Sequence, residues 1–216
     1  LGGFAGDTLA SALLANDKLL IGRSFKYHRP RGILSAGIEE PNGLFTIGEG
    51  ATTEPNVAAT VVELVDGLVA STQNAWPSAD LDVMAVNSIL APLFQSGFYY
   101  KTFMGPTKGS WMFYEPFIRK AAGLGKATDL RDPDRYDMRY AFCDVLVIGS
   151  GPAGLAAALT AGRSGARVVL AEQDTELGGA LLAGSDAEHE SWRIACVEEL
   201  NSLPNVEAFT RTAAGE

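Results

Sequence analysis

The chain has 216 residues, enough for one large domain or two modest ones, with 47% of them apolar, 20% charged and a formal charge of −9. That acidic balance argues against a general nucleic-acid binder, which needs a continuous positive surface. The two cysteines, Cys143 and Cys196, are too few for a disulfide scaffold or a cysteine-only metal site, so a cytoplasmic location is expected. No apolar run approaches the roughly 18 residues of a membrane span.

In chain order, residues 6–17 predict a short helix with Asp7 as N-cap and a stripe of Leu9, Ala12, Leu13 and Asn16. Residues 18–25 read as extended. The stretch 23-RSFKYHRPRG-32 carries Arg23, Lys26, Arg29, Arg31 and His28 with no acid, while Pro30 and Gly32 exclude a regular helix. It reads as an internal or intersubunit anchor, its arginines meeting carboxylates or a phosphate. His28 is expected to serve the structure of that loop. Strands are predicted over 43–48 and 56–64, with a turn at Asp66-Gly67. Residues 71–82 read as a connector and 83–94 as a helix interrupted by Pro92. The aromatic-rich stretch 97–123 reads as a seam between domains, or as a subunit interface or cofactor-facing wall.

The clearest chemical signal is 144-DVLVIGSGPAGLAAALTAGRSGARVVLAEQD-174. Val145–Ile148 is continuously apolar, as a strand covered on both faces requires. Gly149, Gly151 and Gly154 follow with G-x-G-x-x-G spacing: the first permits the tight turn, the second lets backbone approach a pyrophosphate, and the third allows helix and strand to lie close. Ser150 and Ala153 fill the intervening positions, and Pro152 suits the first helical turn. Leu155 and Leu159 repeat at helical spacing, and Gly162 and Gly165 end the helix. A second strand, 167–172, ends on Glu172, 23 residues after Gly149. A carboxylate there accepts both hydroxyls of an adenosine ribose and repels a 2′-phosphate, which favours NAD or FAD over NADP. Gln173 follows, and the Gly178-Gly179 pair lets backbone pass close to the phosphates. The fingerprint alone does not choose between FAD and NAD. A helix over 191–203 and a strand over 205–211 complete the expected elements. Both cysteines read as structural, His189 as solvated, and no zinc site is expected. Glu39 and Glu40 are not expected to form a general-acid pair, because neighbours on a strand point apart.

Taken together, 6-GDTLASALLAND-17, 22-GRSFKYHRPRG-32, 39-EEPNGLFTIGEG-50, 99-YYKTFM-104 and 147-VIGSGPAGLAAALTAG-162 resemble the alpha-subunit family of heterotetrameric sarcosine oxidases, over essentially the whole chain. The resemblance implies a mixed α/β and α+β fold in three parts. Residues 1–70 would be a small ferredoxin-like domain lacking iron–sulfur ligands, 71–140 a connecting or interface segment, and 141–216 the first part of a Rossmann-like dinucleotide-binding domain of flavoprotein disulfide-reductase type.

It also implies the oxidative demethylation of sarcosine, with the one-carbon unit passed to tetrahydrofolate by a domain outside this chain. NAD would be held by Gly149, Ser150, Gly151, Pro152, Ala153, Gly154, Glu172, Gln173, Gly178 and Gly179, with FAD and FMN mainly on a beta subunit. Beta, gamma and delta subunits would be partners, with no nucleic acid, no membrane and no catalytic residue in this chain, which alone would be inactive. In related redox proteins a C-x4-C-x2-C run holds a cluster. The matching positions are Ser35, Glu40 and Gly43, so the expectation is a domain without an iron–sulfur cluster. The abrupt termini suggest a piece of a longer protein. The alternatives are the large subunit of a related amino-acid, opine or cyanide-forming dehydrogenase, or a noncatalytic scaffold stabilised by a bound nucleotide.

Overall fold

The computed structural model describes residues 1–93, 97, 103, 105–107 and 109–214; the motif 99–104 lies outside them except for Phe103. Two compact units divide the chain, Leu1–Asp134 and Arg135–Glu216.

The first unit opens with α1 (Leu9–Ala15). Its N-cap is Thr8 rather than the expected Asp7. The Thr8 hydroxyl accepts from Ser11 N at 3.2 Å and the Ser11 hydroxyl accepts from Thr8 N at 2.9 Å, a reciprocal capping box. Asp7 instead braces the turn before it, accepting from Phe4 N at 2.8 Å and Ser11 Oγ at 3.1 Å. The stripe at Leu9, Ala10 and Leu13 packs on Ile21, Phe45 and Ala59 to make the core of this unit.

Two short strands, β1 (Gly22–Arg23) and β2 (Pro30–Arg31), pair antiparallel around the basic stretch. A three-stranded antiparallel sheet follows, with β3 (Leu44–Ile47) between β4 (Glu54–Ala58) and β5 (Ala70–Thr72). The predicted strand 56–64 stops at Ala58 because the next carbonyls are used elsewhere. Ala59 O and Val62 O accept from Ala10 N and Leu9 N at 2.9 and 2.8 Å, satisfying the first free amides of α1. Conversely, the connector expected from residue 71 supplies part of β5.

The described residues 83–93 do not form one α-helix. They begin as a 3₁₀ segment, Val83–Ser88, with Asp82 accepting from Met84 N, and Pro92 falls in a second, Ala91–Leu93. The aromatic-rich stretch contains α2 (Ser110–Ala122), with Pro116 inside it, and leaves Met112, Phe113 and Phe117 exposed. That helix ends on Gly123 at φ 76°, where a Cβ would fall 1.9 Å from Asn74 Cβ; only glycine fits.

The second unit is a strand–helix–strand–helix–strand run. The strands β6 (Val145–Ile148), β7 (Val168–Ala171) and β8 (Val206–Phe209) form a parallel sheet in the order β6-β7-β8, with Val145 opposite Val168 and Val168 opposite Val206. The connecting helices are α3 (Pro152–Arg163) and α4 (Ala187–Ser202). Leu155, Ala158 and Leu159 of α3 meet Val168 and Leu170 of β7 and Cys196 and Leu200 of α4. Cys196 is therefore a core residue, and burial pushes its thiol pKa up.

All four residues of β7 are buried. In β6 burial alternates, with Leu146 50% and Ile148 71% exposed, so the expected two-sided cover is replaced by cover on the Val145–Val147 face. Helix α4 starts four residues earlier than expected. Asp186 caps it by accepting from Glu188 N and His189 N, and the acids at Glu188 and Glu190 suit the positive end of the helix. Among the described residues no helix is long and apolar enough to cross a membrane.

Candidate functional site

The fingerprint leaves the end of β6 at Gly149, whose φ of 88° demands glycine and whose N–H donates to Ala171 O at 2.8 Å. Gly151 is the N-cap of α3 and Pro152 begins the helix. A Cβ on Gly149 or Gly151 would point into open space, whereas one on Gly154 would lie 2.0 Å from Gly149 O. Thus Gly154 is required by the packing of helix on turn, and the other two leave room where a pyrophosphate meets a helix N-terminus. Ala153 and Gln173 are exposed.

Ser150 joins the two halves of the expected site. It is fully buried; its N–H and its hydroxyl donate to Glu172 Oε2 at 2.6 and 2.5 Å, and its Oγ accepts from Gly178 N at 3.0 Å. Asp174 N donates to Glu172 Oε1 at 3.0 Å. Gly179 approaches the fingerprint so closely that a Cβ would lie 3.0 Å from Gly151 Cα. The structure therefore brings Gly149, Ser150, Gly151, Glu172, Gly178 and Gly179 into one cluster.

Burial works to raise the Glu172 pKa, but the hydrogen bonds from Ser150 and the amides of Ser150, Gln173 and Asp174 outweigh it, and the net direction is down. Burial and the Glu172 charge together raise that of Asp174. Ser150 thus occupies both lone pairs of Glu172 Oε2, and Asp174 N occupies one of Oε1. The serine was invisible as a tether because the fingerprint places no chemical demand on the residue after its first glycine.

Within the basic stretch His28 is buried and Arg23 partly so, while Arg29 and Arg31 are exposed. Arg23 donates through Nε to Ala79 O at 2.8 Å, and through its terminal nitrogens to His28 O and Asp80 O, each at 3.2 Å. Its partners are main-chain carbonyls rather than the expected carboxylates or phosphate. His28 is 2% exposed; its Nδ1 lies 2.6 Å from Asp82 Oδ2 and its Nε2 lies 3.0 Å from Ala121 O. A carbonyl only accepts, so Nε2 carries a hydrogen, and the ring ties the loop to residue 82 and to the end of α2. Arg29 and Lys26 lie over the Tyr27 ring at 4.8 and 5.0 Å from its centroid. A cavity of about 250 Å3 lined by Arg23, Arg31, Asn42 and Asn74 borders this stretch and includes none of the fingerprint residues.

A second buried glutamate, Glu40, follows the 3₁₀ turn Gly37–Glu39. It is 3% exposed, while Glu39 is exposed. The two do point apart, but through a turn rather than along a strand. Glu40 Oε2 accepts from Leu34 N and Ser35 N, both at 2.7 Å, and Oε1 from Asn42 N at 2.7 Å and Gly43 N at 3.1 Å. The three positions picked out in sequence, Ser35, Glu40 and Gly43, are therefore neighbours in space.

Residues 1–75 match the 2Fe-2S iron-sulfur cluster binding domain family, and residues 144–193 match the FAD dependent oxidoreductase family. The chain is 55% identical over 98% of its length to sarcosine oxidase subunit alpha of Rhizobium meliloti (strain 1021), covering 22% of that protein. The same subunit from two Corynebacterium strains, U-96 and P-1, is 35% identical over 98% and 97% of this chain, which covers 18% of each. The chain thus spans about a fifth of the length of these relatives.

These matches overturn the expected cofactor set. The domain expected to stand without an iron–sulfur cluster matches a cluster-binding family, and the segment that carries the fingerprint matches a family named for FAD rather than NAD. The donor chemistry of the first segment does not fit a thiolate-held group. Both cysteines lie outside residues 1–75, and all four lone pairs of Glu40 are taken by main-chain amides. The second segment does fit a dinucleotide, with open space over Gly149 and Gly151 beside a helix N-terminus.

Proposed function

Because the chain is homologous along essentially its whole length to sarcosine oxidase alpha subunits, we propose that it forms the dinucleotide-holding part of a multisubunit flavoenzyme that oxidatively demethylates sarcosine. The observation that carries this reading is the cluster at the end of β6, where Gly149 and Gly151 leave open space at the start of α3 and Ser150, Glu172 and Gly178 are locked together. A flavin held there supplies two-electron acceptance from an amine. The chain's own residues bind and orient. Amides of Gly151, Ala153 and Gly154 would meet the pyrophosphate, Glu172 would accept from a ribose hydroxyl, and the Gly178-Gly179 loop, with Gln173 beside it, would line the site. Transfer of the one-carbon unit to tetrahydrofolate belongs to sequence outside this chain, and beta, gamma and delta subunits would be its partners.

In this reading the second unit is the opening part of a Rossmann-like domain, residues 1–70 form a ferredoxin-like domain, and 71–140 connect the two. The test is to purify the full-length native protein with its subunits, release noncovalent cofactors by denaturation and identify them by mass, with sarcosine-dependent oxygen uptake measured alongside. A flavin dinucleotide lost from a Gly154→Ala variant, together with oxygen uptake on sarcosine, is the expected result. A flavin content untouched by that variant, or turnover of an opine instead of sarcosine, overturns the reading.

A further inference from the structure

Glu40 has no role in the site just described, yet it is buried and both of its oxygens accept two hydrogen bonds. Its two oxygens collect four main-chain amides at 2.7–3.1 Å, two from Leu34 and Ser35 before it and two from Asn42 and Gly43 after it. Every donor is an amide, and no cationic side chain forms an ion pair with Glu40 among the described residues. Burial alone would raise its pKa, but the amides outweigh that and lower it.

The surrounding loop is shaped for this contact. Gly43 brings its N–H in because it has no side chain; a Cβ would lie 3.1–3.3 Å from Ile33 Cδ1, Ile21 Cδ1 and Glu40 Cγ. Asn42 Nδ2 donates to Gly32 O at 3.2 Å, Thr60 Oγ1 to Gly37 O at 2.5 Å, and Ala59 N to Gly43 O at 2.8 Å. These bonds dock the loop on its neighbours through contacts that do not involve the carboxylate. The convergent amides are thus fixed from two sides, by their anion and by the scaffold.

We propose that residues 34–43 form a carboxylate-binding nest of four main-chain N–H groups whose occupant in this chain is its own Glu40, and that a free small carboxylate enters the nest when that side chain is cut back. The ligand class is a planar monocarboxylate no larger than acetate, because the nest holds two oxygens and a short stem. The inference is independent of the dinucleotide reading, since none of these residues takes part in it.

The experiment compares the full-length native protein with Glu40→Ala and Glu40→Gln by hydrogen exchange of peptides covering 34–43, in formate, acetate, benzoate or chloride at equal ionic strength. In chloride, exchange in Glu40→Ala accelerates by roughly tenfold or more, as amides losing their acceptor do. Formate and acetate restore most of the lost protection, benzoate does not, and none of the three changes the wild type. Glu40→Gln fills the space but turns an NH2 group toward two donors, so its exchange also accelerates and formate does not slow it. Equal protection in Glu40→Ala and wild type, or no difference between formate and chloride in Glu40→Ala, overturns the proposal. If Glu40→Ala does not accumulate as folded protein, Glu40→Gln decides alone: wild-type protection across 34–43 in that variant overturns the nest.

Discussion

Each unit buries one glutamate, and the two are held differently. Glu40 is saturated, with four amides of its own loop filling its lone pairs. Glu172 is held from one side by Ser150 and from the other by Asp174, and its cluster includes two glycines that face open space. Both carboxylates have pKa values shifted down by hydrogen bonding that outweighs burial. The same chemistry closes a loop in one unit and presents a binding edge in the other. What separates the two is the donors: four main-chain amides of one loop at Glu40, and a serine hydroxyl together with main-chain amides at Glu172.

The largest expected effect comes from Gly154→Ala, which forces a methyl to 2.0 Å from Gly149 O. Overpacking of backbone against backbone costs about 3 kcal/mol, so the dinucleotide is lost from the purified protein and the thermal midpoint falls. Exchange at 34–43 stays as in wild type; a joint loss in both units would break the comparison. Next is Glu40→Gln, which leaves two buried donors facing an NH2 group. About 2 kcal/mol of stability is lost in denaturant titration, with dinucleotide content unchanged.

Ser150→Ala is milder, at about 1 kcal/mol. It removes the hydroxyl bridge from Glu172 to Gly178 and frees one lone pair of Oε2, so the release rate of the dinucleotide, measured by fluorescence, changes more than the thermal midpoint does.

Acid sharpens the comparison further. A depressed carboxylate pKa means that the unfolded chain binds more protons than the folded one between the two values, so stability falls as pH falls through that window. Protection at 34–43 should therefore be retained at neutral pH and lost only below the ordinary glutamate range. The smallest effect is expected at Asp144, where hydrogen bonding by Arg167 holds the carboxyl at about 2. The pair is exposed, with Arg167 Nη2 2.8 Å from Asp144 Oδ1, and surface pairs contribute little. Asp144→Asn should leave cofactor content unchanged by mass analysis.

Much of the second unit was legible because its glycines have separable jobs. The turn at Gly149, the close approach at Gly154 and the acid ending at Glu172 each follow from spacing and stereochemistry. Less of the first unit could be read. The residues of β5, Ala70-Ser71-Thr72, carry no apolar alternation, and their pairing with β3 is a long-range fact. Residues 59–62 have strand composition, but the carbonyls of Ala59 and Val62 are taken by the start of α1. Helix α2 was hidden by Pro116 and by aromatics that read as an interface. Asp7 and Thr8 are both good caps, and only the geometry of Ser11 chose between them.

The candidate site shows the same division. The glycines and the acid were visible, whereas the Ser150 tether and the Glu40 nest depend on main-chain amides converging in space, which side-chain identity does not encode. In the basic stretch the charges were visible but their partners were not. Arg23 spends its guanidinium on backbone carbonyls and His28 on one carboxylate and one carbonyl.

The most direct measurement is hydrogen exchange on the full-length native protein before and after removal of its dinucleotide. Removal should accelerate exchange in peptides covering 149–154 and 172–179 and leave 34–43 unchanged, because the dinucleotide is proposed for the first cluster, whereas the second is filled by its own side chain. Unchanged exchange at 149–154 and 172–179, or an equal acceleration at 34–43, would contradict the division of roles between Glu172 and Glu40.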